Sequence, residues 1–160
     1  MDHIVYVDVD AKELEKLISG TRTMIVRRAK EVPRGTVNPS DTLYFIHDGD
    51  RLIRARATVK DVLHSDKLTE KTSTRLLQTY QDQLQLSRKE MERWVRKQYL
   101  VMVSVENTTP IKPFAVDRSN YGGQDNWLPV GSIRKVMTSR WSPWLRGKRV
   151  YKDADLISDK

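Results

Sequence analysis

Gly20-Thr21-Arg22-Thr23-Met24-Ile25-Val26-Arg27-Arg28-Ala29-Lys30 is the stretch on which the reading of this chain turns. Its apolar, β-branched middle predicts a strand over 23–28. On an extended chain Arg22, Met24, Val26 and Arg28 point one way, and Thr23, Ile25 and Arg27 the other. Upstream, Asp10 is placed to cap a helix over 11–19, and Glu13 completes a capping box. Leu14, Leu17 and Ile18 form the apolar stripe of that helix, and Gly20 stops it. Downstream, Val32-Pro33-Arg34-Gly35 through Asn38-Pro39-Ser40-Asp41 is dense in turn formers and predicts an ordered loop. The unit is helix, glycine stop, basic strand, loop.

Further strands lie on either side. Ile4-Val5-Tyr6-Val7 reads as a short one, and Leu43 to His47 with Leu52 to Leu63 as a hairpin around Asp48-Gly49-Asp50. In its second strand Ile53, Ala55, Ala57 and Val59 share one face, while Arg54, Arg56, Thr58 and Lys60 form a basic ladder on the other. Thr69 opens a helix to about Leu84, and Ser87 with Glu90 caps another to about Lys97, whose inward stripe is Met91, Trp94 and Val95. Tyr99 to Glu106 is the least polar strand, followed by a connector over 107–113 and an irregular polar, aromatic segment over 117–129. Ser132 to Met137 is expected to form a final short element. Strands and helices do not alternate regularly, which disfavours a doubly wound parallel sheet. The expectation is an α+β fold: a small mixed β-barrel decorated with helices, one domain over 1–137 with a basic, aromatic extension over 138–160.

Composition narrows the function. Across 160 residues, 29 Lys and Arg face 21 Asp and Glu, a formal charge of +8, which suits a polyanionic partner. The absence of cysteine excludes disulfides, thiolate metal sites and a cysteine nucleophile. His3, His47 and His64 are scattered without ligand spacing, so no metal site is expected. No phosphate loop or dinucleotide fingerprint is present, and no cofactor is expected. Met1-Asp2-His3-Ile4 does not begin a secretory signal, and the Tyr99 to Val105 run is too short to span a membrane. We therefore expect a cytoplasmic protein with no membrane partner.

The run Gly20-x-Arg22-x-x-x-x-Arg27 resembles the G-x-K-x-x-E-x-R motif of ASCH domains, members of the PUA-like β-barrel superfamily. The likeness extends to Pro39-Ser40-Asp41-Thr42-Leu43-Tyr44-Phe45, to the Ala55 to Val62 and Tyr99 to Val105 strands, and to the segments Asp117 to Gly122 and Asp125 to Pro129. It spans most of the chain. The resemblance implies a barrel with a cleft beside the motif, lined by basic and polar groups and suited to RNA or a nucleotide-like ligand. Gly20 is then the motif glycine, Arg22 stands for the lysine and Arg27 is the motif arginine. Ile25 occupies the glutamate's place. Some small ASCH proteins are amidohydrolases of acylated cytidine that use a lysine, a threonine and a glutamate. Arg22 cannot shed a proton as a lysine can, and Ile25 brings no hydroxyl where the threonine belongs. That pattern is not retained, and no catalytic residue is assigned.

Binding candidates fall in three places. Beside the motif lie Arg22, Arg27, Arg28, Lys30 and Arg34, where guanidinium forks suit phosphate or base edges; a strand edge merely protected by charge is the plainer alternative. In the irregular segment, Arg118, Asn120, Tyr121 and Trp127 offer hydrogen bonds and stacking faces, unless Trp127 and Leu128 plug the barrel end. A secondary basic surface comprises Arg54, Arg56 and Lys60 with the tail residues Arg140, Arg146, Lys148 and Arg149, the last four interleaved with Trp141, Trp144 and Tyr151. The leading expectation is an RNA-binding domain. The alternative is a hydrolase of RNA or a modified nucleoside, for which Glu70, Asp117, Asp125, Tyr44, His47 and Tyr121 form no constellation by spacing. A third is a protein-docking module using the helices over 69–97.

Overall fold

A computed structural model gives the architecture and describes residues 1–47, 49, 51–121 and 126–138. Six strands, β1 (Asp2–Val7), β2 (Met24–Arg28), β3 (Thr42–His47), β4 (Leu52–His64), β5 (Leu100–Ala115) and β6 (Trp127–Gly131), form one curled sheet in the order β2-β5-β4-β3-β1-β6. β1 pairs with β3 in parallel; every other pairing is antiparallel. The sheet is a half-barrel whose open edges are β2 and β6.

Helix α1 (Glu13–Ser19) lies against one face of the sheet. Leu14 and Leu17 join Val5, Ile25, Phe45, Ala57, Val101, Val103 and Trp127 in the main core. Its end follows the sequence: Gly20 takes φ +83°, a left-handed cap only glycine adopts freely, and its N–H reaches the Leu17 carbonyl. Its start does not. Lys12, not Asp10, is the N-cap, at φ 56° with no side-chain cap, and α1 is shorter than expected. Glu13 is drawn elsewhere.

On the opposite face, α2 (Glu70–Thr79), α3 (Gln81–Leu84) and α4 (Arg88–Trp94) cover β2 and the start of β5, burying Met24, Val26, Leu77, Leu84, Trp94 and Met102 together. The Thr69 and Ser87 capping boxes both form. The single helix expected to Leu84 breaks at Tyr80. β5 also differs from expectation. It continues through the 107–113 connector to Ala115, because Asn107 adopts φ 55° and bulges absorb the register change opposite β4. Pro110 and Pro113 are tolerated in this arm where regular pairing is interrupted. A bulge between Ile53 and Ala55 parts two residues that regular alternation would leave on one face: Ala55 enters the main core, while Ile53 joins Tyr44, Phe114 and Leu128 in a separate cluster.

Candidate functional site

The seam of the half-barrel opens into a cleft of about 520 Å³. One wall is β2 with Arg22, Met24, Val26, Arg27 and Arg28; the others are the end of β1 with Asp8 and Val9, Glu13 of α1, and Glu90, Arg93, Trp94 and Lys97 of the α4 region. Arg22 and Arg27 are 1% and 7% exposed, so this is a floor built of buried charge. Glu13 takes Arg27 on both oxygens, Oε1 from Nη2 at 2.8 Å and Oε2 from Nη1 at 3.1 Å. Arg22 donates to Glu13 Oε2 at 3.4 Å and to Glu90 Oε1 at 2.8 Å. Arg27 also bridges the seam, donating to the Tyr6 carbonyl at 3.1 Å. Burial alone would raise the Glu13 carboxyl; the charge and hydrogen bonds of Arg27 outweigh it and hold it below its ordinary range. Arg27 is raised in return, against its own burial.

The lining is balanced: Arg22, Arg27, Arg28, Arg93 and Lys97 against Asp8, Asp10, Glu13, Glu31 and Glu90. Arg93 donates to Asp8 at 3.0 Å, and Arg28 to Glu31 at 2.8 Å. Asp8 sits below its ordinary value because the Arg93 hydrogen bond and the Ala11 amide outweigh its partial burial. One cation is incompletely used. Arg22 Nε is buried and has no hydrogen-bond partner among the described residues.

Three of the cations in and beside the motif, Arg22, Arg27 and Arg28, thus meet in one cleft, whereas Lys30 and Arg34 are exposed outside its lining. Arg118 is near, its guanidinium 5.2 Å from the ring of Tyr6, a cleft residue. Tyr121 is half-buried against the cluster around Leu128. Trp127 is 2% exposed and presents no face for stacking; it takes the plug role as part of β6. Its Nε1–H donates to His3 Nδ1 at 3.3 Å, which puts the imidazole proton on Nε2, toward Asp41 at 2.9 Å. Burial lowers the His3 imidazole despite Asp41. Arg54 and Arg56 are half-buried on β4, with Arg56 beside a 280 Å³ recess formed with Thr42, Thr58, Asn107 and Thr109; Lys60 is exposed. Tyr44 is raised by burial and by Asp2, against its hydrogen bond with Arg56. The side chain of Asn120 and the residues Arg140, Arg146, Lys148 and Arg149 lie outside what the structure describes.

Sequence reasoning passed over Glu13 and Glu90, both assigned only to helix capping. Glu90 does cap, accepting from the Ser87 N–H at 3.0 Å, and binds Arg22 with the same oxygen. The available signal was physical: two buried arginines, one just before an apolar strand and one within it, require buried carboxylates, and these two sit on flanking helices. Among the described residues no group of His, Cys, Asp and Glu is arranged to hold a metal, and no helix is long and apolar enough to cross a membrane.

No family model matches the chain, and no curated protein does. Its architecture does have solved counterparts. The ASCH protein of Zymomonas mobilis superposes with a TM-score of 0.64 at 14% identity, covering 97% of this chain and 94% of that one. The chain has the ASCH fold. This version of the ASCH fold also matches the N-terminal domain of Staphylothermus marinus McrB, with a TM-score of 0.52 at 8% identity over 81% of this chain and 87% of that domain. At such identities the likeness is one of architecture, and the chemistry of the cleft has to be argued from this chain's residues.

Proposed function

We propose that this ASCH-fold chain is a nucleic-acid-binding domain that takes single-stranded RNA at the β2 cleft. The observation that carries the reading is the cleft itself. It is a ligand-sized recess at the seam, with the buried Arg22 Nε in its lining left without a partner among the described residues. The net charge of +8 supplies long-range attraction for a polyanion. Arg28, Lys97 and the exposed Lys30 and Arg34 are assigned to phosphates outside the cleft. Arg54, Arg56, Lys60 and the basic residues of the 138–160 extension are assigned to a secondary surface for a longer strand.

Fluorescence anisotropy with a labelled single-stranded oligoribonucleotide at 50 and 200 mM salt tests this. Binding at low salt that weakens linearly in log–log form supports it, and no binding at 50 mM overturns it. Product analysis of the same mixtures separates a binder from the hydrolase alternative. A binder leaves the RNA intact.

A further inference from the structure

β2 is an edge strand, and its register with β5 determines which of its backbone groups are left over. Val105 N–H donates to the Thr23 carbonyl at 3.0 Å and Ala29 N–H to the Tyr99 carbonyl at 3.1 Å, so the odd-numbered residues face β5. The N–H and C=O groups of Met24, Val26 and Arg28 point the other way, where no strand among the described residues pairs with them, and all three residues line the cleft. Two of these carbonyls are already engaged. Arg27 Nη1 donates to the Val26 carbonyl at 2.8 Å, and the Glu31 N–H to that of Arg28 at 2.9 Å. Among the described residues the Met24 carbonyl and the Val26 N–H are left as an adjacent acceptor and donor on one extended edge.

An adjacent acceptor and donor match one chemical feature shared by the unmodified bases. The Watson–Crick edge of each carries a neighbouring donor and acceptor: the exocyclic amine and ring nitrogen of adenine and cytosine, the carbonyl and ring N–H of guanine and uracil. Only an unpaired base has that edge to offer. The lining is charge-balanced and its deepest arginines are held by Glu13 and Glu90, which suits a neutral base better than a phosphate. Trp94 supplies an aromatic wall. Building on the nucleic-acid reading above, we infer that Met24 C=O and Val26 N–H read the Watson–Crick edge of one unpaired base, with Arg22 Nε as an additional donor. The site selects single strands by what it contacts, independently of charge.

The test compares octauridylate with octa(N3-methyluridylate), which carries the same phosphates but has lost the ring N–H. The expected result is at least tenfold weaker binding of the methylated strand with an unchanged salt slope, because a bidentate pair is lost and no phosphate contact is. Val26→Pro removes the N–H on the open side only, a position where an edge strand accepts proline; it should bind octauridylate several-fold more weakly than wild type while still preferring it to the methylated strand through the Met24 carbonyl. Should that variant fail to fold, the wild-type Val26 amide proton gives the same answer by NMR, shifting downfield on titration with octauridylate. Equal affinity for the two oligomers, or an unshifted Val26 amide in a protein that binds octauridylate, overturns this inference and leaves the nucleic-acid reading standing. Failure to bind any RNA overturns both.

Discussion

Glu13 and Arg27 form a two-pronged ion pair, 2.8 and 3.1 Å between their paired atoms, with neither side chain more than 9% exposed. The pair joins helix α1 to the edge strand, and Arg22 leans on the same carboxylate. Such a pair need not stabilise the fold relative to apolar residues, but breaking it leaves charge stranded out of water. Glu13→Gln is therefore expected to cost about 3–5 kcal/mol in urea unfolding. A loss under about 1 kcal/mol, on the scale of an exposed pair, would show that water reaches these arginines.

Acid is expected to act in two stages. Burial lowers His3 below its ordinary 6.5, so below that pH the unfolded chain binds more protons and stability falls as pH drops. Glu13, Asp41 and Asp8 are held below their ordinary values, so their contribution is complete above the ordinary carboxylate range and is lost as pH falls through the lower folded values. Urea midpoints should be level above about pH 7, decline toward pH 5 and drop again below about pH 4. In His3→Gln, which keeps an acceptor for Trp127 and a donor for Asp41, the first decline should shrink to the part that His64 contributes, since burial and Arg34 lower that imidazole too. An undiminished decline would assign that stage to His64 or another group.

Trp127→Phe tests the buried role of this indole. It removes the bond to His3 and part of the core volume, for an expected loss of about 1–3 kcal/mol. RNA affinity of the folded variant should stay within about twofold of wild type, since a stacking residue would forfeit about 1–3 kcal/mol of binding per base. A larger loss of affinity at unchanged stability would return Trp127 to the binding surface.

Lys97→Ala and Arg28→Ala address the outer cations of the cleft. Each is expected to weaken RNA binding several-fold at low salt and to reduce the salt slope by about one. An unchanged slope in both would place the phosphates elsewhere.

Much of this fold was legible because its signals are local. Gly20 stops α1, Thr69 and Ser87 cap α2 and α4, and the alternation from Ala55 to Val59 marks a buried strand face. What escaped depends on distant partners. The Asn107 to Pro113 stretch has the residues of a connector, yet pairing with β4 holds it extended. Trp127-Leu128-Pro129 sits in a polar, irregular context and becomes a strand only because β1 lies beside it. The location of the cleft was legible from the motif resemblance, but its charge balance was not. Arg22 meets a carboxylate 68 residues away, and Glu13 satisfies local capping logic while facing Arg27 instead.

The parallel pairing of β1 with β3, and its second pairing with β6, has a consequence for how the chain is made. Val5 lies between Phe45 and Trp127, so a strand made before the other five of the sheet is enclosed only when one of the last described strands arrives. Until then β1 carries an open hydrogen-bonding edge and apolar side chains without a cover. Topologies closed by such distant contacts fold slowly and expose sticky edges while they wait. Translation speed and chaperone supply would then govern the soluble yield more than the stability of the finished domain.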